Sequence, residues 1–585
     1  MTPTSPLPPE ILTAIFLYLE GRELRSCQLV CRNFNELIES LLELQFQTAL
    51  RDAGYVGSLH SRPNISIGEK LSTLKNHLQS WNDVSPSAVN SFYLYGTYNG
   101  HGLAHGDIEP LFFNGILARW STSSYDVRLP LDLSIVQLPS PNKGLAFKEW
   151  EITEHTIEVD DYWLEPNYDL LILLSIHQQA HNTTSYRFHL RTLSTNEPHP
   201  STNTQTGPLR LELSSGHSIE SYSLQIVGRL MFVHLVDKSE TGRVYCWDWG
   251  TGELQMDQTT GLGATMDIIF LSETMLAVLR SNFADASEGE TIGVLDVYSL
   301  SSTTSGLQMI PIITLQLPIF HLASWPPVHG PGYNDISRVE MKCYIDPVRQ
   351  ISSFQMANSG TRGSIFELAD TNRILLVHFS FINHARESNA LSFLLVPVWS
   401  IINEVHKLSG LSGSTDPRPY YEVPWETWGA NTRWIHRFTL TESFFDEDPG
   451  KYLTSGARVL LPRCTPFHNP SQVMCAHEPS HYLVIDTLDF LPSSVQVAQA
   501  GARTTLQIDG ATLSHQTYCS GSDNLTPNTA GIDEWMNGAE LAVAPCVKSK
   551  LCHTLFDRAT AGAEHLKVWA DEEHLVFLGV RKQLR

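Results

Sequence analysis

Residues Leu7 to Phe46 read LPPEILTAIFLYLEGRELRSCQLVCRNFNELIESLLELQF, and three short amphipathic helices can be read from that string. Pro8-Pro9 suits an opening turn, because the N–H that proline lacks has no helical partner there. Ile11, Leu12, Ile15, Phe16 and Leu19 then recur at helical spacing and form one apolar stripe. Gly21 interrupts the stripe. Glu23 places negative charge in the first turn of a second helix carrying Leu24, Cys27 and Val30. A third helix carries Phe34, Leu37, Ile38, Leu41 and Leu42 at the spacing of a buried face. Three such helices hold too little chain to cover Leu7, Pro8, the Ile11/Ile15 stripe, Val30, Cys31 and Phe34 together. Part of that surface calls for a partner.

These residues resemble an F-box, the short helical module that docks on a Skp-family adaptor and so joins a cullin-type ubiquitin ligase. The resemblance rests on Leu7-Pro8-x-Glu10-Ile11-Leu12-x-x-Ile15-Phe16-x-Tyr18-Leu19, then Leu24, Cys27, Val30-Cys31-Arg32-x-Phe34 and Leu37. Many members carry Trp where this chain has Phe34. The resemblance implies that Leu7, Pro8, Ile11, Ile15, Leu19, Leu24, Val30, Cys31 and Phe34 carry the docking, with some, Phe34 in particular, turned to the module's own small core. An ordinary helical subdomain packed on its own protein is the alternative that periodicity by itself supports.

The whole chain has 585 residues, more than one structural unit by length. It is 42% hydrophobic and 17% charged, a balance that argues against general disorder. A formal net charge of −23 repels phosphate backbones, which speaks against nucleic acid as principal partner. No apolar run approaches the length of a spanning helix, and no charged lead precedes an apolar core, so neither a membrane span nor a secretory signal is read. Nine scattered cysteines fit a reduced interior rather than a disulfide framework. A cytoplasmic or nuclear location is expected.

Residues 1–6 form a short tail, the F-box spans 7–50, and a linker covers 51–90. Within the linker Leu71, Leu74, Leu78 and Trp81 fall on one face and predict a helix over 69–81, packed between the module and the downstream chain. From about Ser91 onward, short β-branched and aromatic segments bounded by Gly, Pro, Asn, Asp and Ser replace helical spacing. Examples are Phe92–Tyr98, Phe112–Trp120, Leu170–Ile176, Val244–Trp249, Ile268–Leu279 and Leu391–Trp399. Roughly five hundred residues of this texture exceed one sandwich or barrel core, whereas radial repetition grows by adding blades. The expected architecture is α+β multidomain: three F-box helices, a linker helix, and a large all-β propeller-like domain over 91–585 with six or seven blades. Gly216-His217 leading to Trp247-Asp248 looks like one WD repeat. The combination resembles a group of fungal F-box proteins with WD-like C-terminal regions.

Chemistry-bearing clusters are few. Cys464, His468, Cys475 and His477 lie close enough in sequence for a zinc site, but Pro466 and Pro470 break the segment and no Cys-x-x-Cys pair occurs. An ordinary loop is favoured, and no metal or cofactor is expected. Asp160, Asp161, Glu165 and Asp169 near Tyr162 and Trp163, and Glu426 between Trp425 and Trp428, are the best case for a hydrolase, since sugar chemistry needs two facing carboxyls and aromatic platforms. Aspartates at turns that accept backbone N–H bonds are the favoured reading. No Gly-x-Ser-x-Gly and no phosphate-cradling glycine loop is present. The Trp425 to Trp434 segment is read as a wedge between blades, with partner binding as the lesser option. The sequence thus describes a substrate receptor, not an enzyme, that binds a Skp adaptor, through it a cullin, and an unidentified protein cargo. A propeller hydrolase and an F-box scaffold without a degradation role are the alternatives.

Overall fold

The computed structural model describes residues 7–19, 21–58, 64–82, 111–121, 131–154, 156–179, 183–202, 207–214, 219–237, 242–260, 264–281, 293–303, 306–318, 338–345, 363–383, 388–410, 421–437, 454–455, 458–466, 481–489, 507–508, 511–519, 546–552, 563–570 and 573–581. The Phe92–Tyr98 segment, Gly216-His217 and the cluster at His468, Cys475 and His477 lie outside them.

The chain begins with α1 (Pro9–Tyr18), α2 (Gly21–Val30), α3 (Arg32–Ser40) and α4 (Leu42–Asp52). The Pro8 carbonyl accepts the N–H groups of Ile11 and Leu12, each at 3.1 Å, so the helix starts at the prolines as their fixed φ dictates. Four helices stand where three were expected. Leu41 takes an extended conformation (φ −99°, ψ 114°), which ends α3 and starts α4 within one leucine-rich run. Leu12, Phe16, Leu24, Ile38 and Leu44 form the small core between these helices.

The linker supplies β1 (Tyr55–Gly57) and α5 (Ile67–Asn82). α5 opens two residues earlier than the apolar spacing predicts, because Ser66 and Glu69 form a reciprocal cap. The Ser66 N–H donates to Glu69 Oε2 at 2.9 Å, and the Glu69 N–H donates to Ser66 Oγ at 3.2 Å.

Four-stranded antiparallel sheets then come in chain order. Blade 1 is β2 (Leu111–Phe113), β3 (Ile116–Ser121), β4 (Leu131–Gln137) and β5 (Lys148–Glu154). Blade 2 is β6 (Asp161–Glu165), β7 (Leu170–Gln179), β8 (Thr183–Thr192) and β9 (Leu209–Ser214). Blade 3 is β10 (Ile219–Val227), β11 (Leu230–Asp237), β12 (Gly242–Asp248) and β13 (Glu253–Thr259). Blade 4 is β14 (Ala264–Ser272), β15 (Met275–Ser281), β16 (Gly293–Thr303) and β17 (Gly306–Gln316). Blade 5 uses β18 (Arg338–Tyr344), then skips β19 (Phe366–Leu368) to β20 (Ile374–Asn383), β21 (Ser388–Pro397) and β23 (Arg433–Arg437). Between the last two lie α6 (Val398–Gly410), β22 (Tyr421–Val423), which adds in parallel to β17, and α7 (Trp425–Trp428).

Each blade packs its apolar face on the next. Blade 1 meets blade 2 through Ile116, Leu133, Ile152, Tyr162, Leu171 and Leu173. Blade 2 meets blade 3 through Leu170, Ile172, Phe188, Met231, Val233 and Trp247. Phe232 and Phe270 join blades 3 and 4, and Leu279, Leu295, Val377 and Val396 join blades 4 and 5. This sequential face-to-face burial is the propeller arrangement, with five blades among the described residues rather than the six or seven expected. Beyond it, β24 (Thr454–Ser455), β25 (Arg458–Pro466), β26 (His481–Asp489), β27 (Gln507–Ile508), β28 (Ala511–Cys519) and β29 (Cys546–Cys552) form a six-stranded sheet. A last hairpin, β30 (Ala563–Ala570) with β31 (Leu575–Arg581), ends the described chain.

Some segments read as one strand are hairpins. Phe112–Trp120 is broken at Asn114-Gly115, both at positive φ (52° and 80°), the tight turn that this dipeptide favours. Ile268–Leu279 turns between Ser272 and Met275. The strand expected over Leu391–Trp399 gives way at Val398 to α6, whose Val398, Ile401 and Val405 are buried at helical spacing.

Candidate functional site

The four N-terminal helices divide their apolar residues between two surfaces. On α1, Leu12 and Phe16 point into the small core, while Ile11 (48% exposed) and Ile15 (42%) stand one turn apart on the opposite face with Tyr18 beyond them. Leu7 and Pro8 are exposed just before the helix. At the end of α2, Leu29 and Val30 (69%) are exposed, and Cys31 is exposed as the residue before α3. A soluble surface seldom gathers so many large apolar side chains on fewer than forty residues without a use for them.

The other expected docking residues lie elsewhere. Leu24 is fully buried in the helices' own core, because α2 presents it toward α3 and α4. Leu19 is partly buried against the same core. Phe34 packs edge-to-face on Phe16 with ring centroids 5.2 Å apart, so the aromatic holds α3 to α1. Tyr18 (91% exposed), Leu29 (89%) and Leu42 belong to the exposed apolar set and were not among the expected site residues. Their signal in the sequence was phase: Tyr18 follows Ile11 and Ile15 at i+7 and i+3 on the uncovered side of the wheel.

The helical module is tied to the blades through its linker. β1 pairs antiparallel with β19, placing Tyr55 opposite Leu368 and Gly57 opposite Phe366. Phe46 and Leu50 of α4, Leu71 and Leu74 of α5, and Ile365, Phe366 and Leu368 share one core cluster. Tyr55 donates to or accepts from His77 Nε2 at 2.9 Å and packs edge-to-face on Phe366 at 5.2 Å. Farther along α5, the Arg458 guanidinium lies 4.8 Å from the Trp81 ring, a cation–π contact with the six-stranded sheet.

Phe366 is held from its far side by Asn142, in the turn after β4. The Asn142 side-chain amide donates to the Phe366 carbonyl at 3.0 Å, and its oxygen accepts the N–H groups of Ile365 (2.9 Å) and Phe366 (3.2 Å). The Asn142 N–H in turn donates to Glu573 Oε1 at 3.0 Å, and His574 reaches the Pro139 carbonyl at 3.0 Å. Blade 1, the β19 segment and the last hairpin therefore meet at Asn142, and the module linker joins them through the β1/β19 pairing.

Of the carboxylates weighed for hydrolysis, Asp160, Asp161, Glu165 and Asp169 accept backbone N–H groups. Asp160 accepts the Ile176 N–H at 2.6 Å, Asp161 the Tyr162 N–H at 2.8 Å, and Asp169 both the N–H and hydroxyl of Ser194. Glu165 is buried and accepts the Asn167 N–H, and burial pushes its carboxyl up to about 7. Glu426 is exposed, but Trp425 and Trp428 turn inward, edge-to-face at 5.1 Å, so no aromatic platform flanks it. Trp428 donates from Nε1 to the Gln316 carbonyl at 2.9 Å, which fixes α7 on blade 4 as a wedge. The Trp247-Asp248 pair is structural as well. Trp247 is buried between blades 2 and 3, and Asp248 accepts the N–H groups of Gly250 (2.9 Å) and Thr251 (3.1 Å) to form the adjoining turn.

Residues 5–44 match the family model described as F-box-like. No curated protein sequence matches the chain. Solved structures with similarity include an uncharacterized protein from Listeria monocytogenes EGD-e, at 8% identity over 57% of this chain and 80% of that one with a TM-score of 0.25. The N-terminal domain of Nup159 matches at 11% identity over 50% of this chain and 61% of its own, TM-score 0.21. The polysaccharide lyase Uly1 matches at 8% identity over 81% and 95%, TM-score 0.30.

Proposed function

We propose that this chain is the substrate-receptor subunit of a Skp-cullin-F-box type ubiquitin ligase. The observation that carries the proposal is the division of the helical module into a closed core and an exposed apolar set: Leu7, Ile11, Ile15, Val30 and, with them, Tyr18 and Leu29. A Skp-family adaptor covers that set, and a cullin joins through the adaptor. Each of these side chains contributes roughly 1.5–3 kcal/mol when fully buried at the interface, before the costs of association.

The β1/β19 pairing and the Asn142 junction support a receptor whose cargo domain is held firmly against its docking module. A cargo protein bound on the blades is then kept near the ubiquitin-charged enzyme, which raises its effective concentration. All covalent chemistry resides in the partners, and the complex works in the cytoplasm or nucleus. Co-purification of the full chain with a Skp adaptor tests this. Ile11→Glu with Val30→Glu should abolish the association while circular dichroism stays unchanged, and unchanged association would retire the proposal.

A further inference from the structure

Between blades 1 and 2 runs a row of side chains in which hydrogen-bond donors outnumber acceptors. Ser175 and His177 of β7 and Ser185, Arg187 and His189 of β8 alternate with Leu170, Ile172, Tyr186 and Phe188, which face blade 3. The same parity that sends Leu171 and Leu173 to blade 1 sends these five polar residues there. Pairing brings them together, since Ser175 lies opposite Arg187 and His177 opposite Ser185.

Their partners can be followed one by one. His189 and His177 both reach the Ser175 hydroxyl through Nε2, at 3.1 and 3.2 Å. Arg191, the next residue in the row, is neutralised by Glu154 at 3.4 Å. Asp160, the acid beside His177, is taken by the Ile176 N–H. That leaves the Ser185 hydroxyl, on a residue with no solvent exposure, and the Arg187 Nε, both buried without a hydrogen-bond partner. Arg187 has no ion pair among the described residues. Burial, then the charges of Arg191 and Arg187, push the His189 imidazole down to about 4, the sign of a locally positive field that Glu154 offsets incompletely.

A buried hydroxyl and a buried guanidinium Nε left unmade each cost free energy comparable to a lost hydrogen bond or more, so both atoms call for a partner that the described residues do not supply. We propose that Arg187 and Ser185, backed by Ser175, His177 and His189, bind a small free oxyanion of the phosphate class between blades 1 and 2. A guanidinium presents a donor fork matched to phosphate oxygens, and the flanking hydroxyl and imidazole groups supply further donors to a tetrahedral anion. The full burial of Ser185 favours a free anion over a phosphate carried on a protein segment, which would have to bring its backbone between the blades. The inference stands apart from the adaptor reading, because it concerns two blades and not the helical module.

The test titrates inorganic phosphate into the full-length chain at constant ionic strength held with KCl, reading the melting temperature and isothermal heat. Saturable stabilisation is expected, absent in Arg187→Gln and weakened about tenfold in apparent affinity in Ser185→Ala. If Arg187→Gln does not fold, Ser185→Ala decides alone. Should the buried hydroxyl have no ligand, its removal leaves the phosphate response unchanged. No response beyond that of KCl, an equal response in the variants, or binding of a phosphoserine peptide without binding of inorganic phosphate would each overturn the proposal.

Discussion

The side-chain amide of Asn142 pairs with the backbone of Phe366 in both directions, donating at 3.0 Å and accepting at 3.2 Å across 224 residues of sequence. Both partners are buried, so Asn142→Ala leaves the Phe366 carbonyl and N–H without this partner, while the Ile365 N–H keeps the Asn142 carbonyl at 3.2 Å. At about 1–3 kcal/mol for each of these two buried groups left unsatisfied, a total loss of roughly 2–6 kcal/mol is expected. Urea unfolding measures the loss. Hydrogen exchange should quicken first in residues 54–58 and 365–369, because the linker strand pairs there. A uniform change along the chain would show that the junction is not a local clasp.

Stability and docking separate on the helical module. Leu24→Ala removes a fully buried side chain and should cost about 2–5 kcal/mol with loss of the helical signal. Ile11→Ala and Val30→Ala remove exposed groups and should stay within about 0.5 kcal/mol of the parent. The same two variants should weaken adaptor association at least tenfold, read by pull-down or calorimetry. Equal stability losses at Leu24 and Ile11 would contradict the division of the module into a closed core and a docking face.

Much of this was legible in the sequence, for physical reasons that also mark where legibility ends. Ile11, Ile15, Leu12 and Phe16 show the helix by their spacing, but spacing by itself does not say which side of α1 is covered; of the expected docking residues Leu24 lies in the module's own core, and Phe34 packs there as the resemblance led one to expect. The propeller texture was plain in the strands, yet the blade count was not. Blade 5 absorbs about one hundred residues because β19, α6, β22 and α7 are threaded between its strands, so dividing length by a standard blade overcounts. Asn114-Gly115 and Ser66-x-x-Glu69 carried readable turn and cap signals that apolar periodicity concealed. The Asn142 junction left no local mark, since a polar residue in a turn between strands looks like any other until Phe366 is brought against it.

Opposing titrations shape the pH profile. Burial pushes the imidazoles of His189 and His234 down to about 4. Unfolded chains therefore bind these protons below 6.5 while the folded chain does not, and stability rises with pH between about 4 and 6.5. Glu165, raised to about 7 by burial, holds its proton in the folded chain after the unfolded chain has released it. Its contribution therefore falls between about 4.5 and 7. Glu165→Gln keeps an acceptor for Asn167 and removes that opposing slope. Denaturation across pH 4 to 8 should show a steeper rise in the variant and greater stability at pH 7.5. A parallel profile would mean that Glu165 titrates alike in the folded and unfolded chain.

Two glycines that look alike in sequence should respond with opposite sign to alanine. At Gly293, where β16 begins opposite Ser281, an added Cβ would lie 2.5 Å from the Arg280 carbonyl oxygen and 2.9 Å from Met341 Cε. The carbonyl belongs to the paired strand and cannot move without breaking the ladder, so overpacking of about 1–3 kcal/mol is expected for Gly293→Ala. At Gly57, on the linker strand, the same atom meets Leu50 Cδ1 at 3.8 Å, an ordinary contact. Gly57→Ala therefore loses nothing in the folded state and restricts the unfolded one, a gain of about 0.4–1 kcal/mol. Urea midpoints of the two single variants measure both effects. A loss at Gly57 would show that the linker strand sits closer to α4 than its 3.8 Å contact allows, and the firm coupling of docking module to blades would need another basis.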